Sequence, residues 1–284
     1  MSETIEAPLP ETPPLAKPQK SEAKDFIQFL LKLGIFVFVL RSFIFAPFNI
    51  PSESMLPRLM IGDYLLVSKW SYGYSKYSLP FSIPLIPGRI LSRTPERGDV
   101  AVFKAPPGND VDYIKRVIGL PGDLIQVKDG VVFLNGAAIP KKRIADFVEP
   151  LTENSACKKE DAAAFRETSA DGATSCHYPR FMETLPGGKT YEVQDLGTTW
   201  ADNTGVFAVP EGKLFMMGDN RDRSADSRFP AVEGQGIGIV PQENLVGKAW
   251  FSVFSTDGTA NWFLPWTCFP PRVGIALGRA FERD

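Results

Sequence analysis

The chain is 284 residues long, 44% hydrophobic and 23% charged, which excludes a globally disordered polymer and leaves apolar content for one sizeable core or two small ones. A formal net charge of -2, with no basic cluster interleaved with aromatics, excludes a field able to gather phosphate backbones, so nucleic acid is not an expected partner.

Residues 1–24, MSETIEAPLPETPPLAKPQKSEAK, carry almost no large apolar side chain and read as a disordered cytoplasmic leader. An apolar anchor is assigned to 25–46. Its run from Phe26 to Phe45, FIQFLLKLGIFVFVLRSFIF, would extend about 30 Å as a helix, the thickness of a bilayer's hydrocarbon layer, and reads as one membrane span. Lys24, Gln28 and Lys32 share one i, i+4 stripe, from which the Lys32 amine snorkels toward the N-terminal interface. Lys17, Lys20 and Lys24 precede the run and Arg41 alone closes it, a modest positive-inside bias that puts the N-terminus in the cytoplasm and residues 47–284 outside. A cleaved signal peptide would need a small-x-small site where Ile44, Phe45 and Ala46 meet Pro47. A buried core helix would need a polar face that Leu33 to Leu40 lacks, so the anchor is expected to be kept in the lipid bilayer.

Stretches of strand length follow, rich in Val, Ile, Phe and Tyr: DYLLVSKW (63–70), DVAVFK (99–104), DYIKRVIGL (112–120), LIQVKDGVVFLNG (124–136) and LVGKAWFSVF (245–254). Asp129-Gly130 suits a type I′ turn between Leu124–Lys128 and Val131–Leu134, and Asn135-Gly136 marks the next reversal. No helix-length periodic segment alternates with these strands, which argues for a mainly β, antiparallel body over 47–139 and 209–284. Residues 140–208 are more polar and irregular and read as an inserted smaller domain. Cys157, Cys176 and Cys268 all follow the apolar run. In an oxidising compartment the first two could close a loop of about 20 residues, adding about 3 kcal/mol, but three pairings are open and three unpaired thiols remain an alternative.

In IPSESMLPRL (50–59), Ser52 and Ser54 stand between Pro51 and Pro57, whose rings restrict the backbone around them. A serine is a weak nucleophile until a base takes its proton. The one histidine, His177, lies beside Cys176 in the polar segment and reads as a surface or turn residue. Lysine can serve instead if an apolar setting lowers its pKa from near 10.4 to about 8 or below, which costs roughly 3 kcal/mol or more. Lys115, set among Tyr113, Ile114, Val117 and Ile118 in a strand-like stretch, is the best candidate, although most strand lysines are solvated edge residues.

Three stretches in order, PSESMLPRL (51–59), GDVAVFKAPPGNDVDYIKRVIGLPGD (98–123) and GDNRDRSADSR (218–228), together resemble type I signal peptidase, the bacterial leader peptidase. The resemblance implies a barrel-like catalytic body and a Ser–Lys endopeptidase of the bacterial cytoplasmic membrane. Such an enzyme removes signal peptides from exported preproteins on the outer side after small residues of Ala-x-Ala type, through an acyl-enzyme. Ser54 then matches the nucleophile and Lys115 the general base. Ser52, with the backbone N–H of Ser54, matches the oxyanion hole; Ser224 the hydroxyl that holds the lysine amine; Asp226 and Arg228 a supporting pair. Ile50, Met55, Tyr113 and Ile114 match the residues lining small S1 and S3 pockets. No metal or organic cofactor is implied, and proximity to the export translocon is expected.

Glu53 stands where many relatives have glycine and Arg58 where threonine is common; both are expected to be tolerated near the membrane surface. The aromatic C-terminal segment reads as resting against lipid near Trp262 and Trp266, with core packing as the alternative. The alternatives are a self-cleaving repressor-type Ser–Lys protease, whose DNA-binding region 1–24 is too short to supply, and a catalytically dead membrane-tethered scaffold. For GDNRDRSADSR alone, a structural Asp–Arg network fits better than a cation site at Asp219, Asp222 and Asp226, because the spacing matches no EF-hand.

Overall fold

The computed structural model describes residues 22–256 and 279–280, so the leader up to 21, Trp262, Trp266 and Cys268 lie outside the described residues. By Cα proximity the chain divides into two units, residues 1–39 and 40–284. In the first, helix α1 (Glu22–Val39) buries none of its side chains; it continues through a π-helical turn at Leu40–Ile44. Together the 23 residues Glu22–Ile44 are long and apolar enough to cross a membrane. The helix starts three residues before the expected anchor and stops earlier. Phe45 and Ala46, expected inside it, open the strand β1 (Phe45–Asn49), since Pro47 disfavours a helical conformation at the residue before it.

The second unit is mainly β. Its main sheet contains β1, β2 (Asp63–Ser68), β3 (Val100–Lys104), β4 (Asp112–Gly119), β5 (Lys213–Met217) and β6 (Leu245–Ser255). These run antiparallel in the order β1-β2-β6-β3-β4-β5, so that β6 from the C-terminal part lies between β2 and β3, and the sheet curls on itself as a half-barrel. Alternating Val, Ile, Phe and Leu carry its two buried faces. One packs Met55, Leu59, Leu65, Val102 and Ile114, and the other Phe103, Val117, Leu214 and Met216. The hairpin Leu124–Lys128/Val131–Leu134 turns at Asp129 and Gly130 with positive φ at both, as a type I′ turn demands, and caps a third cluster around Ile118, Ile125 and Phe215. Register matters most at β3/β4, where Lys115 faces Ala101, whose small side chain leaves room for the lysine stem.

The segment expected to be irregular, 140–208, instead holds two of the longest strands, Lys141–Pro150 and Thr174–Thr184, paired antiparallel with a bulge between Ile144 and Phe147. Arg166–Thr168 and Thr190–Gln194 flank the second of them. Its alternation is masked in sequence because most side chains of Lys141–Pro150 stay partly or fully exposed. Cys157, Ala162, Cys176 and Tyr178 form a small enclosed cluster of their own, while Leu185, Tyr191 and Val193 pack into the cluster around Ile118 and Phe215. Cys157 and Cys176 form a disulfide, resolving the open pairing for these two. His177 lies on a strand rather than in a turn.

The cross-link closes a loop of 19 residues. The Cys157→Ser/Cys176→Ser variant is expected to lose about 3 kcal/mol of stability by loop closure. Thermal unfolding with and without dithiothreitol checks this: the reductant lowers Tm of the wild type and leaves the double variant unchanged.

Candidate active site

Lys115 sits in the middle of β4 with 3% of its surface exposed. Its Nζ lies 2.6 Å from Ser54 Oγ and donates to the Ile114 carbonyl at 3.0 Å. The Tyr113 ring lies 5.4 Å from the amine. Burial lowers the Lys115 pKa to about 8, against the opposing pull of the Asp226 and Asp219 carboxylates. A neutral amine at this distance is a ready acceptor for the Ser54 proton.

Ser54 occupies a turn after β1, and its Oγ lies 3.4 Å from Ser52 Oγ. The turn is pinned from the far side of the chain: the Asn220 N–H donates to the Ser54 carbonyl at 3.1 Å and Asn220 Nδ2 to that of Glu53 at 3.3 Å. Gly218 permits this approach, because a Cβ there would lie 2.6 Å from the Ser54 carbonyl oxygen and 2.2 Å from Ser224 Oγ. In front of the pair opens a cleft of about 300 Å³, lined by Phe48, Ile50, Val102, Tyr113, Ile114 and Ala225 among others.

Three arginines hold the 218–228 loop. Arg116 grips Asp219 through Nε at 2.7 Å and Nη2 at 2.6 Å. Arg221 grips Glu183 at 2.6 Å through both terminal nitrogens, and Tyr191 donates to the same carboxylate at 2.6 Å. Arg228 grips Asp226 at 2.9 and 3.0 Å. Burial pushes the Asp226 carboxyl upward, but the Arg228 charge and hydrogen bonds outweigh it and hold the pKa below the usual carboxylate range. Asp222 instead accepts the N–H groups of Leu196 and Gly197, so the three aspartates serve an ion-pair and hydrogen-bond network.

A model of the family described as signal peptidase, peptidase S26, matches residues 23–254. The chain belongs to this family. Signal peptidase I of Rickettsia typhi (strain ATCC VR-144 / Wilmington) is 40% identical over 252 residues, 86% of this chain and 84% of its own. That of Rickettsia akari (strain Hartford) is 42% identical over 234 residues, 79% of this chain and 76% of its own. A crystal structure of a signal peptidase I from Enterococcus faecalis V583 covers 55% of this chain and 97% of its own at 27% identity, with a TM-score of 0.28. The sequence matches make the chain a signal peptidase, a hydrolase of the peptidase class.

Of the residues matched to the signal peptidase motifs, the structure brings Ser54, Lys115 and Ser52 together and pairs Asp226 with Arg228. Ile50, Tyr113 and Ile114 line the cleft. Two differ. Met55 is wholly buried in the core beneath, since its apolar side chain packs with Ile50, Leu59 and Leu65. Ser224 Oγ makes no hydrogen bond among the described residues; it lies over Gly218, while the lysine amine is taken by Ser54 and Ile114. His177 bonds Ser175 and does not line the cleft.

Sequence reasoning missed Gly218, Asn220 and the setting of Glu53. Expected near the membrane surface, Glu53 is 7% exposed. It takes Lys159 at 2.5 Å and Arg223 at 2.8 Å, and Arg223 reaches Asp161 at 3.1 Å. An acidic residue where glycine is common was the visible signal; its partners, more than 100 positions away, were not.

Two expectations follow from the geometry. Between its folded pKa of about 8 and the ordinary value of 10.5, the unfolded chain holds a proton that folded Lys115 has released, so stability rises with pH across that window. Below pH 8 the buried amine therefore costs about 3 kcal/mol. Lys115→Met should be more stable than wild type at pH 7, with the gap closing toward pH 10.5, as followed by denaturant unfolding in detergent. Gly218→Ala should displace the Ser54 turn and lower kcat at least tenfold, with a smaller change in KM, in steady-state peptide cleavage.

Proposed function

We propose that the chain is a membrane-anchored signal peptidase working through a Ser54–Lys115 dyad. It removes N-terminal signal peptides from exported preproteins after small residues of Ala-x-Ala type. The observation that carries this is the 2.6 Å approach of a buried, pKa-lowered lysine amine to a serine hydroxyl at an apolar cleft.

Ser54 Oγ attacks the scissile carbonyl carbon as Lys115 Nζ takes its proton. The Ser54 N–H and the Ser52 hydroxyl donate to the oxyanion of the tetrahedral intermediate, a contribution of a few kcal/mol. On collapse the C–N bond breaks, and protonated Lys115 gives its proton to the leaving amine. Water then attacks the acyl-enzyme, again losing its proton to Lys115, and Ser54 is regenerated. The small apolar walls of Ile50, Tyr113 and Ile114 accept alanine and exclude bulk.

The 22–44 helix supports a single pass through the bacterial cytoplasmic membrane, N-terminus inside and body on the outer side, where signal peptides leave the translocon. Phe45, Trp70 and Trp250, with ring centroids 4.7 to 6.2 Å apart, supply an aromatic cluster where the span ends, of the kind that sits at a membrane surface. The body is read as catalytic over 47–139 and 209–284, with 140–208 as the inserted domain.

The test is cleavage of an Ala-x-Ala preprotein in detergent by wild type, Ser54→Ala and Lys115→Ala. Both variants should fall by at least 10³-fold. Wild-type kcat/KM should rise tenfold per pH unit up to an apparent pKa of about 8, since only the neutral amine is a base. Unchanged cleavage in either variant refutes the dyad.

A further inference from the structure

A second cavity, of about 160 Å³, adjoins the cleft, sharing Phe48 and Asp112 with it. Three cations line it, Arg41, Lys69 and Lys104, against one carboxylate, Asp112. That carboxylate is already engaged: Lys104 Nζ lies 3.1 Å from Asp112 Oδ1. Lys69 is 5% exposed, and among the described residues its amine reaches only the carbonyl oxygens of Ser78 at 3.3 Å and Tyr77 at 3.5 Å. Neither Lys69 nor Arg41 has an ion pair among the described residues. A buried lysine without a counter-ion, beside two further cations, is a costly arrangement that an anion in the cavity would relieve. Burial lowers its pKa to about 8; the Asp112 carboxylate raises it, and the charges of Arg41, Lys104 and Arg89 lower it further.

The chemistry around the cavity narrows the anion. Arg41 lies three residues before the end of the 22–44 helix, at the level of lipid headgroups if that helix spans a membrane, the reading on which this inference rests. One apolar side chain at the cavity stands open to the outside: Phe81, which lines it, shows 98% of its surface. A free inorganic anion has no use for such a side chain, whereas a lipid presents a phosphodiester beside acyl chains.

We propose that Arg41, Lys69 and Lys104 form a phosphate site for the headgroup of an anionic membrane phospholipid. Guanidinium and ammonium donors take the phosphodiester oxygens, and Phe81 rests among the acyl chains.

Native mass spectrometry of the full chain in neutral detergent tests this, with dioleoyl phosphatidylglycerol, dioleoylglycerol and inorganic phosphate as separate probes. Wild type should retain one phosphatidylglycerol at about a tenfold lower concentration than Arg41→Gln or Lys69→Gln, one lost charged contact being a factor of roughly ten. Dioleoylglycerol should not be retained, and inorganic phosphate should not displace the lipid at equal concentration. Arg41 is exposed, so Arg41→Gln carries the test even if Lys69→Gln fails to fold. Equal retention by wild type and Arg41→Gln would overturn the site, and displacement by free phosphate would overturn the lipid assignment. Ser54→Ala should retain the lipid like wild type, so this outcome and that of the cleavage test are independent.

Discussion

The buried amine of Lys115, kept from water and without a carboxylate of its own, is the constraint around which much of the fold is arranged. Lys115 lies on a central strand with both faces covered, opposite an alanine that admits its stem. Two aspartates, 219 and 226, stand close enough to pull its pKa back up. Each is gripped through two nitrogens by its own arginine, Arg116 and Arg228, which hold the loop. Burial nevertheless outweighs the pull of the two aspartates and keeps the amine's pKa low.

The same network explains how segments far apart in sequence meet within hydrogen-bond distance. The Ser54 turn is short and would sample many conformations by itself. The Asn220 N–H, the close approach allowed by Gly218 and the Arg221–Glu183 pair fix it against β5 and against the sheet of the 141–194 region. A buried, fully bonded charge pair of this type contributes less to net stability than to placing its neighbours. Removing one member costs about 3–5 kcal/mol because the other is left unpaired.

Much of this was legible in the sequence and some was not, for physical reasons. The strands of the main body announce themselves through β-branched and aromatic runs bounded by turn residues, and the hairpin through Asp129-Gly130, because both signals are local. Ser54 and Lys115 could be paired only through motif resemblance, since nothing local marks a strand lysine as buried. The long strands Lys141–Pro150 and Thr174–Thr184 were read as irregular because a sheet with little enclosed surface lacks apolar alternation. Met55 and Ser224 show the limit of transfer by motif: a matched position fixes the backbone's course, while rotamer and neighbours decide what the side chain touches.

Glu53, beside Ser54, is tied to Lys159, which follows Cys157 of the disulfide, and to Arg223 in the 218–228 loop. Positions 53, 159, 161 and 223 thus form one ion-pair cluster. A chimera that takes its lobe from a relative with glycine at position 53 would leave Glu53 buried and short of a partner, one residue from Ser54. Domain grafting within the family has to move these four residues together, wherever the splice points are drawn.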